Sequence, residues 1–153
     1  MSPFQSLLVP LDGSRAAASG LGCAAWLASR LDARLHVLNA TTTPLPAMEE
    51  LVRLRVPEAY WPQVILHQAP RFPEDAILAA VEEYKANLVV MSARGEAGEK
   101  TSPRTPDVLK SIGHVTRTVI EQSTVPVLLL PTSYREDLRW KQVLTECLWE
   151  NAV

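Results

Sequence analysis

Cysteine is scarce in this chain. Its two cysteines, Cys23 and Cys147, lie far apart, and no CxxC occurs. That excludes a disulfide framework and a thiol-rich metal site, and it favours a reduced compartment. Histidine is equally sparse: His36, His67 and His114 fall in three separate segments, with no HxxxH. No metal site is expected from them. Positive charge is not in excess, since 15 Lys and Arg stand against 17 Asp and Glu, for a formal charge of −2. A nucleic-acid partner is therefore not expected. No apolar run approaches the roughly 20 residues that cross a bilayer, so no membrane insertion is expected. The opening MSPFQSLLVPLDGS has neither a basic start nor a long apolar stretch, which argues against a signal peptide and for a cytoplasmic location. Neither GxSxG nor GxxxxGK[ST] is present, so a serine hydrolase and a P-loop enzyme drop out.

What remains is a chain of 153 residues that is 47% hydrophobic, enough for one domain with a core. Residues 4–9 (FQSLLV) form an apolar run ending at Pro10. A PLDGS turn follows, with Ser14 placed to cap a helix over 15–31 that Asp32 ends. Residues 34–39 (RLHVLN) make a second strand. Residues 47–55 suit a short helix, and VPEAYWP reads as a loop or broken turn. QVILHQ (63–68) is a third strand. Pro73, Glu74 and Asp75 open a helix that runs to about Lys85. NLVVM (87–91) is a fourth strand, a helix begins near Asp107 with Gly113 inside it, and VPVLLL (125–130) is a fifth strand.

The strands are apolar runs rather than alternations, which means burial on both faces. The fold expected is α/β: a doubly wound five-stranded parallel sheet, order 3-2-1-4-5, with helices on both faces. The ligand crevice of such a sheet lies where the strand order reverses, between the first and fourth strands. Two loops wall it, 10–14 and 92–114. The longer loop contains Gly95 and Gly98 and leads to Gly113, and glycine-bearing turns before helices suit phosphate.

These segments resemble the universal stress protein family, over about residues 4 to 131. LLVPLDGS is similar to its opening strand and turn, NLVVMSARG to its fourth strand and loop, and GHVTRTVIEQSTVPVLLL to its closing helix and strand. The resemblance implies a cytoplasmic, commonly dimeric protein, in a family divided between ATP-binding and nucleotide-free members. The ATP-binding members carry a glycine, two residues, a second glycine, nine residues, then Gly-Ser or Gly-Thr. Here Ser92 takes the first glycine's place, Gly95 matches the second, and Gly113 the third, with His114 for the hydroxyl residue. The spacer, 96–112, is 17 residues long. Carried over by position, the nucleotide-binding residues are Pro10, Asp12, Val37, Ser92, Arg94, Gly95, Gly113 and His114. The cofactor implied is ATP with Mg²⁺, and Lys100 and Arg104 in the insert are within reach of phosphates. Asp12-Gly13 also reads as a plain turn pair, Val37 as core, and Gly113 as a packing glycine.

No residue is assigned a catalytic role, and no enzyme is expected, with slow ATP hydrolysis left open. The domain spans 1–131, and 132–153 forms a helical extension, since Leu138, Val143, Leu144, Cys147 and Leu148 recur at helical spacing. RWKQVL resembles the approach to another opening strand, so the chain also reads as half of a tandem. The 125–130 strand is an apolar edge, which favours a homodimer. Two functions follow: a stress-response module that binds ATP or AMP, or a nucleotide-free dimeric adaptor acting through protein contacts.

Overall fold

The structure is a computed structural model and describes residues 3–11, 15–40, 45–69, 72–92 and 113–130. In chain order it gives β1 (Ser6–Leu11), α1 (Arg15–Leu31), β2 (Arg34–Asn39), α2 (Leu45–Arg55), a 3-10 turn (Glu58–Gln63), β3 (Val64–Gln68), α3 (Pro73–Glu83), β4 (Leu88–Ser92), α4 (His114–Gln122) and β5 (Val127–Leu130). The five strands are parallel, in the order β3-β2-β1-β4-β5. The expected fold class and strand order are those observed. The expected extension over 132–153 lies outside the described residues.

β1 and β4 are buried at every position, as double-sided cover requires. Leu7, Val9 and Leu11 pack with Leu21, Ala24 and Leu27 of α1 and Met48 and Val52 of α2. Leu8, Leu38, Val89 and Met91 pack on the other face with Ile77, Ala80 and Val81 of α3 and Val119 of α4. Two helices thus cover each face. Both α1 and α3 stop by one device. Asp32 (φ 52°) and Lys85 (φ 51°) turn left-handed, and the next amide reaches back, Ala33 to the Ala28 carbonyl at 2.8 Å and Ala86 to that of Val81 at 3.0 Å. No helix among the described residues is long and apolar enough to cross a membrane.

Three expectations need correction. VPEAYWP is not a loop alone: residues 58–63 form a 3-10 turn, fixed by the Trp61 indole N–H donating to the Val56 carbonyl at 2.8 Å. Gly113 is not inside a helix. Its backbone is extended (φ −64°, ψ 155°), and it caps the N-terminus of α4. Residues 107–112, where that helix was expected to start, lie outside the described residues.

The third concerns Pro10, which does not stop β1, because the strand runs on to Leu11. The hydrogen bonds explain why. The Gln5 and Leu11 carbonyls accept from Arg34 and Ala40 on the β2 side, while the Ser6 carbonyl accepts from Asn87 on the β4 side. Backbone groups alternate along a parallel strand, so Pro10 faces β4. Its missing N–H removes a rung there and none toward β2. Accordingly β1 pairs with β2 through Leu11↔Asn39, but its pairing with β4 ends at Leu8↔Val89. Proline in a central strand is tolerated here because it stands beyond the last β1–β4 pair.

Candidate functional site

The end of that pairing is the switch point. Beyond Leu8 and Val89 no further β1–β4 pairs form, at the place where the strand order reverses and doubly wound sheets carry their ligand crevice. Pro10 lies on its β1 wall and Ser92 ends its β4 wall.

The N-terminus of α4 is fastened to the β4 wall. The buried Thr116 hydroxyl, in the first turn of α4, donates to the Ser92 carbonyl at 3.1 Å. Its cap residue, Gly113, has no side chain to accept from the first turn. A helix start without a side-chain acceptor presents backbone N–H groups and the positive end of the helix dipole. Such an end, held beside a crevice, suits an anion.

His114 opens α4, and its imidazole is well exposed, at 84%. Its Nε2 lies 3.2 Å from Glu74 Oε1, in the first turn of the neighbouring α3. The starts of α3 and α4 therefore sit side by side, joined by this pair. A carboxylate stands next to the anion-suited end, which sequence reading had treated only as a helix-dipole residue.

Val37 is placed differently from the rest. Its side chain is fully buried in the α1/α2 core. The Asn39 carbonyl accepts from Ala69 on the β3 side, so by the same alternation Val37's backbone also faces β3, opposite Leu66. Asp12, Arg94 and Gly95, with Lys100 and Arg104, lie outside the described residues. The structure thus ties the start of α4, with Gly113 and His114, to Ser92 at the end of β4, and places Pro10 in β1 and Val37 in β2. Thr116 and Glu74 are the residues that sequence reading missed as site parts. Thr116 lay within the quoted closing helix, but its partner is a backbone atom 24 residues away, which no motif reports.

No three His, Cys, Asp or Glu side chains come together as metal ligands among the described residues. Cys23 is a buried residue of α1, and burial pushes its thiol up to about 12.

A family comparison matches residues 46–131 to the universal stress protein family. No curated protein matches the sequence. Among solved structures, a universal stress protein in complex with cAMP is 24% identical, with TM-score 0.65, over 86% of this chain and all of that one. A universal stress protein from Archaeoglobus fulgidus DSM 4304 is 26% identical, with TM-score 0.61, over 84% of this chain but only 44% of that one. A universal stress protein from Archaeoglobus fulgidus in complex with dAMP is 17% identical, with TM-score 0.53, over 84% of this chain and 98% of that one.

Proposed function

Because the chain belongs to the universal stress protein family, we propose that it is a cytoplasmic regulatory module that binds an adenine nucleotide at the β1/β4 crevice. One observation carries this reading: β1–β4 pairing ends at Leu8 and Val89, and the α4 start tied to Ser92 has a cap residue, Gly113, with no side-chain acceptor. A nucleotide's phosphates would lie at Gly113 and the first amides of α4, with Pro10 and Ser92 as walls. Asp12 would take the ribose, and Arg94 and Gly95 would close over the phosphates from the 92–114 loop. Val37 contributes the packed sheet beneath. ATP with Mg²⁺ and AMP are the ligands in view, and the cAMP and dAMP complexes of the two similar proteins favour an adenine ring. The role is regulatory rather than catalytic, with two copies meeting along the β5 edge.

A second reading has its own support. The Glu74 carboxylate occupies the flank of the anion-suited helix end and holds His114. A fixed negative charge there opposes phosphate, as suits a nucleotide-free dimeric adaptor. The test separates the two. The purified protein is denatured and the supernatant chromatographed for nucleotide; the native protein is then titrated with AMP, cAMP and ATP, with and without Mg²⁺. Released adenine nucleotide, or a Kd below about 100 μM (about −5.5 kcal/mol), supports the nucleotide reading. An empty protein that ignores all three ligands supports the adaptor.

A further inference from the structure

On the α3 face of the sheet, to one side of the crevice, two histidines meet on adjacent strands. His36 of β2 and His67 of β3 place Nδ1 and Nε2 2.9 Å apart. Their rings stack on each other at 5.1 Å between centroids. Tyr84, just past α3, stacks on both, 3.9 Å from His67 and 5.0 Å from His36. His36 is buried and His67 half-buried.

An N···N contact of this length is a hydrogen bond, which needs one facing nitrogen protonated and the other bare. One further proton can enter at an outward nitrogen and leave that bond standing. With both rings charged, each facing nitrogen carries a hydrogen, so the bond is lost and like charges face each other. The surroundings resist charge as well. Burial lowers the affinity of His36 for a proton, and His67 and Arg34 on β2 add to this. Burial lowers that of His67 too, with Glu83 at the end of α3 opposing the effect. Tyr84 supplies a ring face, and β1 places Leu8 beside His36.

The strand this pair holds is lightly buried. β3 lies at the edge, is paired to β2 alone, and has no fully buried residue. Ile65, at 38% exposure, faces outward on it. Beside the backbone ladder, this pair and the Asn39 amide donating to Gln68 Oε1 at 2.8 Å tie the two strands through side chains.

We propose that the His36–His67 pair is an acid-operated latch that holds edge strand β3 on β2 at neutral pH and releases it under mild acid. The sign follows from linkage. In the latched strand both rings resist a proton, whereas in the released strand each titrates near the ordinary 6.5. The released form therefore binds more protons, and release is favoured as pH falls below about 6.5. One extra proton in the released form steepens opening about tenfold per pH unit. Release uncovers the backbone groups of Leu35, Val37 and Asn39, a free edge for another strand. This proposal does not depend on nucleotide binding.

Hydrogen exchange of the full chain at pH 7.5 and pH 5.0, corrected for the intrinsic pH dependence, tests it. Protection of the Ile65, His67 and Ala69 amides, which face β2, should fall at least about tenfold in the wild type, while that of β1 holds. In His67→Gln, which offers a hydrogen bond without titrating, the fall in β3 protection should be clearly smaller, since only His36 is left to take up a proton. Constant β3 protection in the wild type, an equal loss in His67→Gln, or parallel loss in β1 overturns the latch. Should that variant fail to fold, ring-proton NMR titration of the wild type decides. Two steps, both below 6.5, support the latch, and independent titration of both rings at 6.5 overturns it.

Discussion

The Thr116 hydroxyl donates to the Ser92 carbonyl across 3.1 Å, and the contact is buried. It joins the last residue of β4 to the first turn of α4, two elements separated by a 21-residue connection, 93–113. Whatever that connection does, this bond fixes where α4 starts relative to the crevice. Thr116→Val keeps the shape and removes the donor from the buried carbonyl. The expected cost is about 1–2 kcal/mol of stability by urea denaturation, with nucleotide affinity reduced alongside. Thr116→Ser should restore both. A Thr116→Val variant with wild-type stability and affinity would show that the helix start is held by other means.

Glu74 is expected to act against bound phosphate. Removing a partly exposed charge near an anion is worth about 0.3–1 kcal/mol, so Glu74→Gln should tighten binding about twofold to fivefold. The gain should grow with ligand charge, largest for ATP and smallest for cAMP, and shrink in high salt. Isothermal titration at two salt concentrations reads it. Equal gains for ATP and cAMP would remove the electrostatic argument.

Cys23 should be inert in the folded protein. Its thiol is buried and pushed up to about 12 from 9.0. In a Cys147→Ser background, a thiol reagent at pH 8 should label the chain only after denaturant is added. Because the folded thiol stays neutral while an unfolded one ionises, Cys23's contribution to stability is full below pH 9 and is lost as pH rises from there toward 12. Rapid labelling of the native protein would mean that α1 opens readily.

Leu35 and Phe72 offer a contrast of burial. Leu35 has no exposed surface in the α1/α2 core, whereas Phe72, at the start of α3, is 79% exposed. Leu35→Ala should cost about 2–5 kcal/mol and Phe72→Ala no more than about 0.5. Thermal or urea unfolding compares them directly. A large loss at Phe72 would point to a contact formed in solution.

Much of this architecture could be read from the residues. The bounds of α1 and β2 are as expected, because the alanine- and leucine-rich face and the Asp32 stop are local signals. The strand order follows from five apolar runs alternating with helices, a pattern with few topological solutions. What escaped is non-local. Pro10 was read as a terminator, since sequence cannot say which neighbour its nitrogen faces. Gly113 was read as mid-helix, and only its extended backbone places it at the cap. In the sequence His36 and His67 are unrelated strand residues; the β2–β3 register, His36↔Ile65 and Leu38↔His67, makes them diagonal neighbours on one face. Glu74 and His114 meet because α3 and α4 share a face, and nothing in their spacing announces it.

The central claim is where a nucleotide sits. The most direct measurement is an NMR titration of ¹⁵N-labelled protein with AMP, following backbone amides. Shifts concentrated at Ser92, Gly113, His114 and Val115, with β3 and the 58–63 turn unmoved, are the predicted result. No shifts at millimolar AMP, or shifts confined to residues away from the β1/β4 crevice, would contradict it.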